Sequence, residues 1–351
     1  MARMAFANRK AFPPMIIKER YKPTPPPYGA GLRLAVCQPR AGLSGAPEAI
    51  ERAIRQLENA VSLAKRHQAQ LISFPELFLT GYAFKAQNPS AHEIALAQDG
   101  DIIRRIQDIA LSRRIAIICP YPEAAHVAGA NRYYDSIALI DQDGALLKNY
   151  RKTQLWGPDE QKLWDFGYVY PEEGEAYTTH LVNGFPVALL NCYEAEFPEL
   201  ARIHALNGAK LIVIPTAADE WALVGGRKTN IPYPDATQFL IPAHAYQNRL
   251  FIAYTNYAGS GHIEENGQAL EQVQYLGNSV ICDPHGAKLL AAATTEETLL
   301  IADCLPDDYP APHPCGTDYI KDRRPSLYGK LTDEKIEYEN YTYPNPPKGI
   351  Y

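Results

Sequence analysis

The chain predicts an α/β fold, sheets covered by helices, and three observations carry that expectation. From Leu32 onward, short apolar runs alternate with segments of helical period. The same helix–strand order recurs in a second half that begins near Pro186. Finally, 351 residues of which 46% are hydrophobic can bury a full core.

Taken in order, residues 1–31 form an arm. Lys22-Pro-Thr-Pro-Pro-Pro-Tyr28 within it should be extended and cannot supply a helix or a central strand. Leu32 to Cys37 reads as a strand, Pro47 to His67 as an amphipathic helix, and Ala69 to Phe74 as a strand leading to Glu76. Ile102 to Arg114 repeats the helical pattern and Ile115 to Cys119 the strand. Tyr134 to Ile140 and Ala145 to Tyr150 alternate across Asp143-Gly144, a hairpin signal. The second half gives strands at Pro186 to Asn191, Leu211 to Pro215 and Phe251 to Asn256, with helices at Phe197 to Asn207 and Thr237 to Arg249. Tyr275 to Asp283, Ala287 to Ala292 and Thr298 to Cys304 read as a closing antiparallel set. The body is expected to span 32–330, followed by a Tyr- and Pro-rich tail over 331–351.

A formal charge of -6 argues against nucleic-acid or anionic-membrane partners, both polyanions. No apolar run approaches the roughly 20 residues that span a bilayer. Arg3, Arg9, Lys10 and Lys18 precede the first acid, but serine is absent there, so a charged arm is a better reading than a transit peptide. Without a secretory core segment, the expected setting is cytoplasmic and the six cysteines are read as free thiols. Cys37, Cys119, Cys282 and Cys304 suit core packing, and Cys315 lies in a loop. The histidines lack ligand spacing, Gly225-Gly-Arg-Lys228 is too short for a phosphate loop, and no dinucleotide fingerprint occurs; neither metal nor cofactor is expected.

Three segments carry chemistry. Cys192 ends an apolar strand just before a helix-forming segment, a turn that presents a thiol and aims backbone N–H groups at it. A lone cysteine in an apolar run is more often a packed core thiol. Its meaning changes beside Leu71-Ile-Ser-Phe-Pro-Glu76 and Asn149-Tyr-Arg-Lys152, each ending an apolar strand with a charge. Strand ends of a parallel or mixed sheet converge on one rim, where the three groups can meet.

This constellation resembles the nitrilase superfamily of carbon–nitrogen hydrolases, whose Glu-Lys-Cys triad falls here on Glu76, Lys152 and Cys192. The resemblance runs from about Leu32 to Gly329. It includes Cys119-Pro-Tyr-Pro-Glu123, matched to the family's second glutamate, and continues through Tyr275-Leu-Gly-Asn-Ser279 and Arg323-Arg-Pro-Ser-Leu-Tyr328. It implies a four-layer α-β-β-α sandwich, assembly as a homodimer or larger homo-oligomer through helical layers, and no cofactor. Glu123 would hold Lys152 or position substrate and water. One departure is Asp135 in Tyr133-Tyr-Asp-Ser136, where close relatives often have Asn; it should alter local hydrogen bonding without touching the triad.

Cys192-Tyr-Glu-Ala-Glu-Phe-Pro-Glu199, Ile214-Pro-Thr216 and Leu240-Ile-Pro-Ala-His-Ala-Tyr-Gln-Asn248 look most like aliphatic amidases of the 5-aminopentanamidase and R-stereoselective amidase group. That implies a primary aliphatic amide cleaved to carboxylate and ammonia. Tyr193 stands where a nitrilase proper commonly has Trp. An N-carbamoyl-amine hydrolase is the stronger alternative, and a silent binding scaffold the non-enzymatic one. Glu196 either favours a cationic substrate or is an acid at a helix start. The extended Ala217 to Asp235 segment is a specificity lid or a surface insertion. Tyr82, Tyr193, Glu196, Asp219, Glu220 and Trp221 are the expected substrate-facing residues.

Overall fold

The computed structural model describes residues 14–333 apart from 43, 45–46, 83–89, 225–226, 266–267 and 312–314. Two sheets form its centre. One has the strand order Ile16–Arg20, Thr298–Cys304, Leu32–Gln38, Leu71–Ser73, Ala116–Val127, Ala130–Ile140, Leu146–Arg151. The other runs Lys288–Ala291, Val280–Cys282, Phe251–Thr255, Leu211–Pro215, Phe185–Leu189, His180–Val182.

Alternation along the strands decides the layering, because successive side chains leave opposite faces of a sheet. Leu34 and Val36 of one sheet, with Leu300 and Ala302, meet Val187, Leu211, Val213 and Phe251 of the other in a shared inner core. Ala35, Cys37, Ile72 and Ile117 face outward and are covered by Ile54, Leu57 and Val61 of the helix Pro47–Arg66 and by Ile103, Ile106 and Ala110 of the helix Asp101–Arg113. On the far side Ile212, Ile214 and Ile252 pack against Leu200 and Ala201 of Pro198–Leu206 and Ile241 and Ala245 of Leu240–Asn248. The result is the expected α-β-β-α sandwich.

Strand direction positions the chemistry. Leu32–Gln38, Leu71–Ser73 and Ala116–Val127 are mutually parallel. Ala130–Ile140 returns antiparallel and Leu146–Arg151 reverses again, so its end reaches the same rim. In the second sheet Phe185–Leu189, Leu211–Pro215 and Phe251–Thr255 are also parallel.

Three expectations need correction. Thr298–Cys304 does not close an antiparallel set with Val280–Cys282 and Lys288–Ala291; it crosses to the first sheet and pairs with Leu32–Gln38. Its alternation of Leu299 and Ile301 outward with Leu300 and Ala302 inward fits either sheet, so pattern alone could not assign it. The strand expected to end at Cys119 continues to Val127, carrying Glu123 inside the ladder opposite Tyr134. The arm contributes an edge strand, Ile16–Arg20, parallel to Thr298–Cys304, ahead of the prolines that exclude a more central role. Residues 1–13 and 334–351 of the expected arm and tail lie outside the described residues.

Candidate active site

Leu71–Ser73 stops just before Phe74-Pro75, and Glu76 follows with its backbone N–H donating to the carbonyl of Thr216 on the opposite sheet at 3.3 Å. Its side chain is fully buried. Lys152 follows the strand Leu146–Arg151, is equally buried, and donates from Nζ to Glu76 Oε1 at 2.5 Å and to Glu160 Oε1 at 2.9 Å. Burial alone would lower this lysine, but Glu160, Glu76 and Asp135 outweigh it and hold the ammonium well above the usual lysine range. The site therefore keeps a fixed positive charge.

Cys192 opens a short 3-10 turn, Cys192–Glu196, after the strand Phe185–Leu189, and takes φ of 49°. A left-handed backbone at a residue with a Cβ costs on the order of 1–3 kcal/mol and persists only where neighbours impose it. Glu194 is one such neighbour. Fully buried, it accepts from Asn191 N at 2.7 Å, Tyr150 OH at 2.7 Å, and Thr153 N and Oγ1 at 2.6 Å each, tying the nucleophile turn to the segment that carries Lys152. The Thr216 hydroxyl lies 3.0 Å from Cys192 Sγ and 3.1 Å from Tyr254 OH. Burial and the nearby Glu76 carboxyl push the thiol well above its ordinary range, against the pull of Lys152. Such a thiol needs a base to ionise it.

Glu123 is not the acid on Lys152. Residues 151 and 152 project to opposite sides, as do 135 and 136, and this separates two clusters. Arg151 donates to Glu123 at 2.6 and 2.9 Å, joined by Ser136 at 2.7 Å and Asn149 at 2.8 Å. On the other side Lys152 meets Glu76, Glu160 and, at 3.5 Å, Asp135. The Asp135 departure therefore does reach the triad. Glu160 was missed because an acid in the first turn of Gly157–Leu163 satisfies that helix start: its Oε2 accepts from Trp156 N at 2.7 Å. Its signal was an acid one segment beyond the lysine. Glu76, Asp135 and Glu160 are the only close trio of His, Cys, Asp or Glu ligand atoms among the described residues, and the Lys152 ammonium already lies against them.

Above the thiol opens a cavity of about 60 Å³ lined in part by Tyr82, Trp156, Tyr193, Glu196, Asp219 and Tyr233. Of the expected substrate-facing residues, Tyr82, Tyr193, Glu196 and Asp219 line it. Glu220 and Trp221 do not. They lead into the hairpin of Trp221–Val224 with Arg227–Pro232, and Glu220 N donates to Gln274 O at 2.7 Å. Trp156, Tyr233 and Tyr254 line the cavity without having been expected, because each is brought there by the fold from a separate segment. Tyr82 donates to Glu160 Oε1 at 2.6 Å, and the Tyr233 hydroxyl donates to the exposed Glu196 carboxylate. Burial pushes Asp219 up to about 7.

Comparison with known proteins agrees with this arrangement. The carbon-nitrogen hydrolase family model matches residues 33–310. A "hydrolase in pqqF 5'region" of Pseudomonas protegens is 34% identical over 285 residues, covering 79% of this chain and 88% of the relative. An (R)-stereoselective amidase of a Pseudomonas species is 29% identical, covering 75% and 82% of the two chains. The N-carbamoylputrescine amidase of Solanum lycopersicum is 29% identical, with 78% and 87% covered. Among solved structures, an amidase from Nesterenkonia sp. superposes with a TM-score of 0.66 at 27% identity, covering 86% of this chain and 97% of that one. A variant of that amidase carries the acetamide moiety of fluoroacetamide added covalently at its active-site cysteine. With a thiol at a strained strand-end turn, a buried lysine among carboxylates and the same fold throughout, this chain belongs to the carbon-nitrogen hydrolase family of the nitrilase superfamily, as an enzyme of the amidase type.

Proposed function

We propose that the enzyme hydrolyses a small primary aliphatic amide bearing a positive group, through a thioester on Cys192. One observation carries the reading: Glu76 and Lys152 are buried in contact with each other at the rim where Cys192 opens into a small cavity. An amide carbonyl is a poor electrophile and requires an activated nucleophile, a proton for the departing nitrogen and a stabilised oxyanion. Cys192 Sγ bonds to the carbonyl carbon while Glu76 takes the thiol proton. Lys152 Nζ, with a backbone N–H near Tyr193, faces the developing oxyanion. As the C–N bond breaks, Glu76 passes that proton to the nitrogen and ammonia leaves. Glu76 then takes a proton from water, whose oxygen displaces sulfur, and returns it to the thiolate. Glu160 holds Lys152 in place through both the ammonium contact and its anchorage by Tyr82 and Trp156.

Glu196 and Asp219 on the cavity wall favour a cationic substituent over a carboxylate. The N-carbamoylputrescine amidase relatives support a second reading, a ureido group in place of the amide. Both substrates release ammonia, but only the carbamoyl compound gives carbon dioxide. Ammonia and carbon dioxide release across a panel of amides and ureides is the test. Release from amino-amides without carbon dioxide is the expected result, carbon dioxide from a ureide selects the second reading, and no ammonia from any compound leaves a binding scaffold.

A further inference from the structure

Four ionisable groups meet here almost without solvent. Glu76, Asp135 and Lys152 are completely buried and Glu160 is 4% exposed. Lys152 Nζ lies 2.5 Å from Glu76, 2.9 Å from Glu160 and 3.5 Å from Asp135. One ammonium cannot balance three carboxylates. If all ionise, two negative charges remain in excess in a dry site, an arrangement that desolvation strongly disfavours.

The hydrogen bonds locate the remedy. Glu76 Oε2 and Asp135 Oδ2 are buried oxygens to which no group donates. Each side chain presents a carboxyl oxygen within 4.8 Å of one on the other, and two carboxyl groups placed so close can hydrogen-bond to one another only when one of them carries a proton. Their other oxygens are already served, Glu76 Oε1 by Lys152 and Asp135 Oδ1 by Asn191 Nδ2 at 2.9 Å. The remaining titratable neighbours are the Glu160 carboxylate, the Cys192 thiol and the phenols of Tyr82, Tyr254, Tyr257 and Tyr275.

We propose that Asp135 is a positioning residue of the hydrolytic reaction: it and Glu76 hold one proton between them, so that the base faces the thiol from a fixed place and the pair carries a single negative charge. This rests on Glu76 being the base. Burial, with Asp135 and Glu160 acting against Lys152, raises the Glu76 carboxyl well above its usual range, and burial raises Asp135 as well. The proton count closes over a cycle. The pair starts with one proton, receives a second from Cys192, loses it to the departing amine, receives another from water and returns it to the thiolate.

The working form is thus flanked by two idle ones. At low pH both carboxyls are protonated and no base remains; at high pH the shared proton leaves, and two adjacent anions oppose formation of the thiolate and the oxyanion. Asp135→Asn separates the cases, because its Oδ1 can accept from Asn191 as before while its N–H donates to Glu76 Oε2, standing in permanently for the shared proton.

The test compares wild type and Asp135→Asn, each checked for fold by circular dichroism, in two measurements. In kcat/KM against pH with an uncharged amide, the variant should retain activity within about tenfold at its optimum, and its alkaline limb should move up by about one pH unit or more. The infrared difference spectrum between the two proteins at neutral pH, without substrate, should contain a protonated-carboxyl band belonging to wild type. Superimposable pH profiles, a folded but inactive Asn variant, or the absence of that band would each overturn the proposal. Should no amide or ureide be hydrolysed at all, the functional reading fails, while the infrared band still decides for or against the shared proton.

Discussion

At the scale of single residues, the chemistry depends on neighbours of opposite sequence parity. Lys152 is catalytic in the proposed reaction while Arg151 braces Glu123, and Asp135 touches Lys152 while Ser136 serves Glu123. Cys192→Ala should abolish ammonia release because no other cysteine can replace its thiol: four are buried in the core and Cys315 is exposed away from the cavity lining. Mass spectrometry should find the acyl adduct on Cys192 of wild type, and turnover by the alanine variant or an adduct on another cysteine would move the nucleophile elsewhere. Glu196→Gln tests charge reading. A partly shielded charge pair is worth about 1–3 kcal/mol, so kcat/KM for an amino-amide should fall roughly 5- to 150-fold, with a much smaller loss for a neutral amide of equal length. Equal losses would instead assign Glu196 to holding Tyr233 and the cavity wall.

Elements supply what the residues cannot supply alone. The strand Phe185–Leu189 delivers Cys192 to the rim, but the turn after it has a left-handed residue that needs restraint. Glu194 provides it by accepting from Asn191, Tyr150 and Thr153, which ties the nucleophile turn to the lysine segment. Glu194→Gln replaces a buried acceptor of several donors with a group that accepts at only one atom. It should cost about 1–3 kcal/mol in urea unfolding and lower kcat more than it raises KM; an unchanged kcat with normal stability would remove Glu194 from the positioning of Cys192. The sequence showed the strand and the helix on either side of this turn, since apolar runs and helical periodicity are local. It did not show Glu194 as a brace, because its partners are brought together only by the packing of two sheets.

For the whole molecule, the inner layer joins both sheets and so fixes how the Glu76 and Lys152 ends approach the Cys192 end. Leu300 is completely buried in that layer. Leu300→Ala should destabilise by about 2–5 kcal/mol, whereas Leu331→Ala, at a side chain 66% exposed, should stay within about 0.5 kcal/mol. Thermal or urea denaturation of the two variants measures the contrast, and equal effects would mean that the inner layer does not carry the fold. By itself the sequence determined the α/β class and most strands and helices, and it singled out Glu76, Lys152 and Cys192 as candidates, because each ends a short apolar run with a reactive group and the three together resemble the family's triad. Tertiary structure decided which sheet receives Thr298–Cys304, which acids surround Lys152, and which aromatic residues wall the cavity. Those outcomes depend on distances between segments far apart in the chain, and hydrophobic alternation, being the same for a strand in either sheet, contains no record of them.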